Sequence, residues 1–386
     1  EEVSLGQLVE ATGRGFIGAP EDDFSTLDLG MTTIKLEGAF DPCYESSIEC
    51  FEPPYPVDVE LVGRWRDGNT VLYEISVSND GGYLHTADFN AQRGVFRGTA
   101  TPVLTLGNER YEGTPLVETN LSLGPIRQVV WVRYQPDFSY SLELFGLGAV
   151  ESEIKERLLQ RMRDIYCPQE DPSRCLNVEF RTEEPADFTR GAYAIIDIGG
   201  PDPNNLGLFG YDNTPGKDVF NLRLWDHVGG ANALGAVDGV PYGGVFVESM
   251  LYYSAAPPLA EARPRGAPEP DPLFDDVFDP VRYDEVVAGE YPHGARADRL
   301  EEIETAIDAL ANLIADTAAH EFGHTLGLAQ PHIPTGAYHN PIPRDGCLMD
   351  TGPNRPLEER AMLNGNPGAG FCEENLVYLL RILPMR

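Results

Sequence analysis

His320, Glu321 and His324 stand together in the run His320-Glu321-Phe322-Gly323-His324-Thr325-Leu326-Gly327, and these residue types at this spacing suit metal-assisted hydrolysis. Residues four apart on an α-helix share a face. His320 and His324 can therefore each point a ring nitrogen at one ion, while Glu321, one step round, flanks an open coordination position. A hydrolytic zinc site takes three protein ligands, lowers the pKa of a water toward about 7, and needs a neighbouring carboxylate to accept the proton. Glu321 is the candidate general base. The remainder of the chain has to supply a third ligand and the elements that hold the site.

The helix is expected on independent grounds. Asp298 followed by Glu301 resembles a capping box, and Leu300, Ile303, Ile307, Leu310 and Ile314 recur at helical spacing. Gly327 is placed to end the helix at positive φ, turning the chain so that a later side chain can approach the ion. Downstream, Cys347-Leu348-Met349-Asp350 lies between turn formers, Pro343-Arg344-Asp345-Gly346 before it and Thr351-Gly352 after it.

His-Glu-x-x-His-x-x-Gly followed by this Met-containing turn resembles the metzincin clan of zinc metalloendopeptidases. The resemblance implies that Met349 floors the metal site. It also implies a third ligand three residues after the glycine, where this chain has Gln330. His332 stands two residues further on, after Pro331, and an imidazole binds zinc better than a neutral amide. His332 is therefore the favoured third ligand, with Gln330 the alternative and His339 after it. Two branches of the clan carry a tyrosine two residues after the methionine; Thr351 stands there, so no tyrosine role is expected.

The 386 residues hold 62 acidic and 28 basic side chains, a formal charge of −34. That field opposes nucleic acid and anionic membrane surfaces as partners and suits peptides or cations. An apolar share of 42% argues against disorder. No apolar run approaches the length of about 18 that a membrane span needs. Six cysteines fall into three short-range pairs, Cys43 with Cys50, Cys167 with Cys175 and Cys347 with Cys372. Pairing by proximity suggests disulfides and a secreted, extracellular or periplasmic location. The start at Glu1 fits a chain from which a leader has been removed.

Alternating runs such as Val57–Val62, Val71–Val77 and Gln128–Tyr134, separated by turn signals, make the first third all-β, with a sandwich the economical arrangement. Beyond it, Tyr140–Phe145 reads as a strand, Glu151–Tyr166 as an amphipathic helix, and Val178–Phe180 and Tyr193–Ile198 as strands. Gly243–Ser249 reads as a candidate edge strand beside a cleft, and Glu373–Leu383 as a closing helix. Residues 254–297, rich in proline and carrying Asp271, Asp275, Asp276, Asp279 and Asp284, read as an insertion whose composition resists a packed core. Calcium is a second cofactor to consider there, and around Asp202, Asn204, Asn205 and Asp212.

The expectation is an α+β chain with an all-β, sandwich-like accessory domain over 1–136. A metzincin-like domain over 137–386 follows, a twisted mixed sheet with an active-site helix and a C-terminal helix. The expected function is a secreted zinc endopeptidase acting on protein or peptide substrate. The alternative is an inactive metzincin-like binding or adhesion protein, and a small-molecule amidase stands third. Oligomeric state leaves no trace in the sequence.

Overall fold

The structure is a computed structural model that describes residues 2–4, 6–18, 30–41, 53–74, 77–80, 83–86, 94–124, 126–189, 191–213, 225–230, 242–259, 262–328, 339–352 and 355–383. Cys43, Cys50, Gln330, Pro331 and His332 lie outside the described residues.

The N-terminal strands are β1 (Glu2–Val3), β2 (Leu8–Thr12), β3 (Met31–Asp41), β4 (Tyr55–Asp67), β5 (Thr70–Glu74), β6 (Val77–Asp80), β7 (Tyr83–Thr86), β8 (Gly94–Leu106), β9 (Glu109–Glu112) and β10 (Leu116–Leu123). Eight of them form one sheet in the order β1-β10-β8-β3-β4-β5-β2, with β9 on β8; β6 and β7 make a separate hairpin. Period-two alternation sets its faces. Along β4, Val57 and Leu61 are buried while Asp58, Glu60 and Val62 face out or stand partly open. β4 pairs β3 through Tyr55–Val62 and β5 through Gly63–Asp67, so its two halves belong to different ladders and the strand passes from one to the other.

The second sheet contains β11 (Gln128–Tyr134), β12 (Val178–Arg181), β13 (Ala194–Gly199), β14 (Gly210–Tyr211), β15 (His227–Val228) and β16 (Gly244–Phe246). Its order is β12-β11-β13-β16-β14, with β15 on β13. All pairings are parallel except β14 on β16. Parallel strands are covered on both faces, which is why Val129, Val130 and Val132 and then Ile196 and Ile198 are buried in near-continuous runs. Gln128–Tyr134, expected with the N-terminal third, is therefore a central strand here. The changeover between sheets falls between Leu123 and Gln128.

Six α-helices accompany this sheet among the described residues: α1 (Phe138–Leu144), α2 (Glu151–Tyr166), α3 (Pro272–Tyr283), α4 (Ala297–Thr325), α5 (Leu357–Arg360) and α6 (Glu373–Ile382). α2, α4 and α6 match the helices expected from periodicity. Tyr140–Phe145 does not form the expected strand; Tyr140–Leu144 lies in α1, with Phe145 as its C-cap, and Phe138 and Leu142, one turn apart, are buried. A short run of mixed apolar and polar residues fits either period, and tertiary packing decides. The candidate edge strand is shortened to β16, followed by a 3-10 segment, Val247–Tyr253; β14 takes the edge.

The proline- and acid-rich insertion contains α3, whose Phe274, Phe278 and Val281 are fully buried. Asp271 caps it by accepting from the Leu273 N–H at 3.0 Å, and Pro272 fits the first turn, where no amide partner is lost. The expected capping box on α4 is not made: Arg296 is the N-cap and no side chain caps there. Disulfides join Cys167 to Cys175 and Cys347 to Cys372. No helix is long and apolar enough to cross a membrane among the described residues.

Candidate metal centre

The first turns of α4 are amphipathic, but from Leu313 to Leu328 every residue is buried. Helix α4 thus carries His320, Glu321 and His324 into the interior. It ends in a Schellman motif: Leu328 N–H donates to Gly323 O at 3.0 Å and Gly327 N–H to His324 O at 2.9 Å, with Gly327 at φ 92°. This turn also serves the site, because Leu328 O accepts from His324 Nδ1 at 3.0 Å. His320 Nδ1 finds a second carbonyl, Leu348 O, at 2.6 Å.

Both imidazoles are therefore held with Nδ1 as donor, which leaves Nε2 as the acceptor nitrogen. Their Nε2 atoms face each other at 3.2 Å. Two lone pairs at that separation repel, unless a cation lies between them. Two nitrogens bound to one tetrahedral zinc at about 2.0–2.1 Å stand about 3.3 Å apart, so the spacing fits the ion.

His339 completes the group. Its ring centroid is 5.2 Å from those of both His320 and His324, and one ligand nitrogen from each of the three lies within 4.8 Å of the others. Among the described residues this is the one set of three or more His, Cys, Asp or Glu able to share an ion. Its place is fixed by its neighbour: Asn340 N–H donates to Met349 O at 3.0 Å, and the Asn340 amide donates to Asp350 Oδ1 at 2.7 Å. His339 thus hangs on the turn that carries Met349.

Met349 is fully buried beneath α4, where a Cβ on Gly323 would stand 2.6 Å from its Sδ. Only glycine at 323 lets the methionine approach the helix so closely.

Burial, reinforced by the neighbouring histidines, pulls His320 well below its ordinary pKa, and burial with His324 pulls His339 down to about 4. Neutral imidazoles at His320 and His339 are the protonation state a metal requires. Glu321 is 7% exposed. Burial and the nearby Asp212 charge raise it to about 8, against a hydrogen bond from the Asp212 backbone. A divalent cation at the histidines would favour its anionic form. β14 lies against this carboxylate: a Cβ on Gly210 would come within 2.7 Å of Glu321 Oε1.

Beneath the histidines is a charged cluster that the sequence reading did not single out. Asp316, one turn before His320, pairs with Arg355, which also donates to Glu359 Oε1 at 2.9 Å and to Leu348 O at 3.1 Å. Asp316 was the available signal, as the lone charge in the apolar run Leu313–Ala319. Three of the acids considered for calcium have other uses. Asp202 accepts from the backbone N–H groups of Asn204, Leu206 and Gly207 at 2.8–3.0 Å, Asp275 accepts from Ser254, and Asp279 pairs with Arg282 at 3.1 Å.

The chain matches no protein-family model, no curated protein and no solved structure.

Proposed function

We propose that this chain is a zinc-dependent endopeptidase of metzincin type, with His320, His324 and His339 as metal ligands and Glu321 as general base. The observation that carries the reading is the pair of Nε2 atoms held 3.2 Å apart, each ring fixed through Nδ1 by a backbone carbonyl. Such carbonyl-oriented imidazoles are the usual outer-shell arrangement of a metal ligand. Bound there, zinc supplies a Lewis acid that polarises a carbonyl and makes water a usable nucleophile near neutral pH.

Glu321 takes a proton from the attacking water and delivers it to the leaving nitrogen. The carboxylate is adjacent to a ligand on the same helix turn, buried and backed by Gly210, so it is held in place and shielded from bulk water. β14, last in the order of the second sheet, runs beside it, which suits an extended peptide that adds by backbone pairing. The two disulfides fit an oxidising, extracellular setting.

Glu321→Gln tests the role. It keeps the shape and removes the base, so zinc content and unfolding midpoint should hold while peptide hydrolysis falls by about 10²-fold or more. Full hydrolysis in this variant would end the assignment. Stoichiometric zinc without hydrolysis of any peptide by the wild type would move the reading to an inactive binding protein.

A further inference from the structure

Asp350, the residue after Met349, is 1% exposed. Each of its carboxylate oxygens accepts a hydrogen bond at 2.7 Å, Oδ1 from the side-chain amide of Asn340 and Oδ2 from the backbone N–H of Arg344. These donors are the two ends of Asn340-Pro341-Ile342-Pro343-Arg344, the segment that leads from His339 into the turn. Both prolines lack an N–H, and Ile342 between them is 67% exposed, so the middle of the segment has little with which to hold itself to the protein. Its ends do so instead, and one carboxylate grips both.

Asn340 is tied from two further directions. Its backbone N–H donates to Met349 O at 3.0 Å, and its side-chain oxygen accepts from the amide of Asn375, on α6, at 3.4 Å. The arginines nearest in sequence are engaged away from Asp350: the Arg344 guanidinium pairs with Glu374 at 2.8 Å, and Arg355 bonds Asp316 and Glu359. Asp350 is thus a buried carboxylate bonded by neutral donors, an unfavourable state unless a cation is near. Its charge reaches His339, where it opposes the fall in pKa that burial causes. A divalent ion held by His320, His324 and His339 would offset that charge.

We propose that Asp350 is the positioning residue for the third metal ligand: by clamping Asn340 and Arg344 it holds His339 where it can share an ion with His320 and His324. This rests on the three-histidine reading of the metal centre. His320 and His324 are oriented by other groups, Leu348 O and Leu328 O, so loss of the clamp leaves the helix pair in place and falls on His339. The effect should therefore appear in zinc affinity, where groups that orient a ligand typically contribute about 10- to 100-fold.

The test is a competitive zinc titration of the full chain against a chelator, with unfolding of the metal-free protein measured alongside, for wild type, Asn340→Asp, Asp350→Asn and the double exchange. Asn340→Asp sets two carboxylates against each other, and Asp350→Asn turns an amino group toward a donor, so each should weaken zinc binding by about 10- to 100-fold. The double exchange restores both bonds, with the amide at 350 accepting from Arg344 N–H and donating to the carboxylate at 340, and should recover most of the lost affinity. Asn340→Ala removes one arm of the clamp without new repulsion; it decides the matter where the other variants misfold, and should weaken binding by about 10-fold. A merely structural role would lower the metal-free unfolding midpoint and leave the affinity of folded protein unchanged. Wild-type affinity in the folded single variants or in Asn340→Ala, or no recovery in a folded double exchange, overturns this inference and leaves the three histidines standing. A wild type that binds no zinc overturns the metal centre, and this inference with it.

Discussion

Arg355 and His320 share one acceptor, the Leu348 carbonyl oxygen, at 3.1 Å from Arg355 Nη1 and 2.6 Å from His320 Nδ1. A buried charge pair is thereby coupled to the orientation of a metal ligand through the residue before Met349. Arg355→Met should take from the buried Asp316 and Glu359 carboxylates the cation that bonds both, at a cost of about 3–5 kcal/mol. Zinc affinity should fall by about 10- to 100-fold as the Leu348 carbonyl loses its anchor. Denaturant unfolding and a competitive zinc titration read the two effects separately; unchanged zinc affinity in a folded variant would show that the coupling is absent.

Gly323 and Met349 form a second linked pair. An alanine in a helix is ordinarily favoured over glycine by about 1 kcal/mol. At position 323 its Cβ would meet Met349 Sδ at 2.6 Å, so Gly323→Ala should instead destabilise by about 1–3 kcal/mol. Combining it with Met349→Ala should cost less than the sum of the two single changes. Strict additivity in urea unfolding would mean that the methionine does not pack against the helix at this point.

A pH effect is expected away from the metal centre. Burial raises the Asp197 carboxyl, but hydrogen bonds from His227 and Arg133 outweigh that and hold it below its ordinary value. Arg133 Nε and Nη2 donate to it at 2.6 and 2.9 Å. A carboxyl lowered on folding contributes stability that is complete above its unfolded pKa of about 3.9 and lost as pH falls through the lower folded value. Wild type should exceed Asp197→Asn in unfolding midpoint at pH 6, and the gap should narrow below about pH 4. A gap independent of pH would remove the electrostatic explanation.

The Cys347–Cys372 bridge ties the Met349 turn to the start of α6. Opening it by substitution of both cysteines with serine should cost about 3 kcal/mol by the chain-entropy argument. It should also weaken zinc binding, since Leu348 N–H pairs with Gly370 O at 2.8 Å beside the bridge. Thermal unfolding with and without zinc checks both; an unaltered midpoint would refute the stabilising role.

The parts of this architecture readable from sequence were those with a strong local period. α4, α2 and α6 have apolar positions at helical spacing over several turns, and Gly327 marks the end of α4 by the one conformation that glycine favours. α3 was hidden because its prolines and acids dominate composition, although Phe274, Phe278 and Val281 keep helical spacing and Asp271-Pro272 is a sound helix start. β11 looks like any alternating strand, and only its pairing with β12 and β13 assigns it to the second sheet. At the site, the helix spacing gave His320, Glu321 and His324. The turn after Gly327 has no period from which reach could be judged, so His332 and His339 could not be ranked by geometry. The Asn340 contacts to Met349 and Asp350, which connect positions 339 and 349, are long-range facts of the fold.

The most direct test of the metal centre is zinc content per chain, measured by elemental analysis of protein purified without added metal, for wild type, His339→Ala and His332→Ala. About one zinc is expected in wild type and little or none in His339→Ala, in line with the three-histidine ligand set, while the His332→Ala value reports whether that residue also contributes. A wild type without zinc, or loss of the metal on changing His332 while His339→Ala retains it, would contradict the site described here.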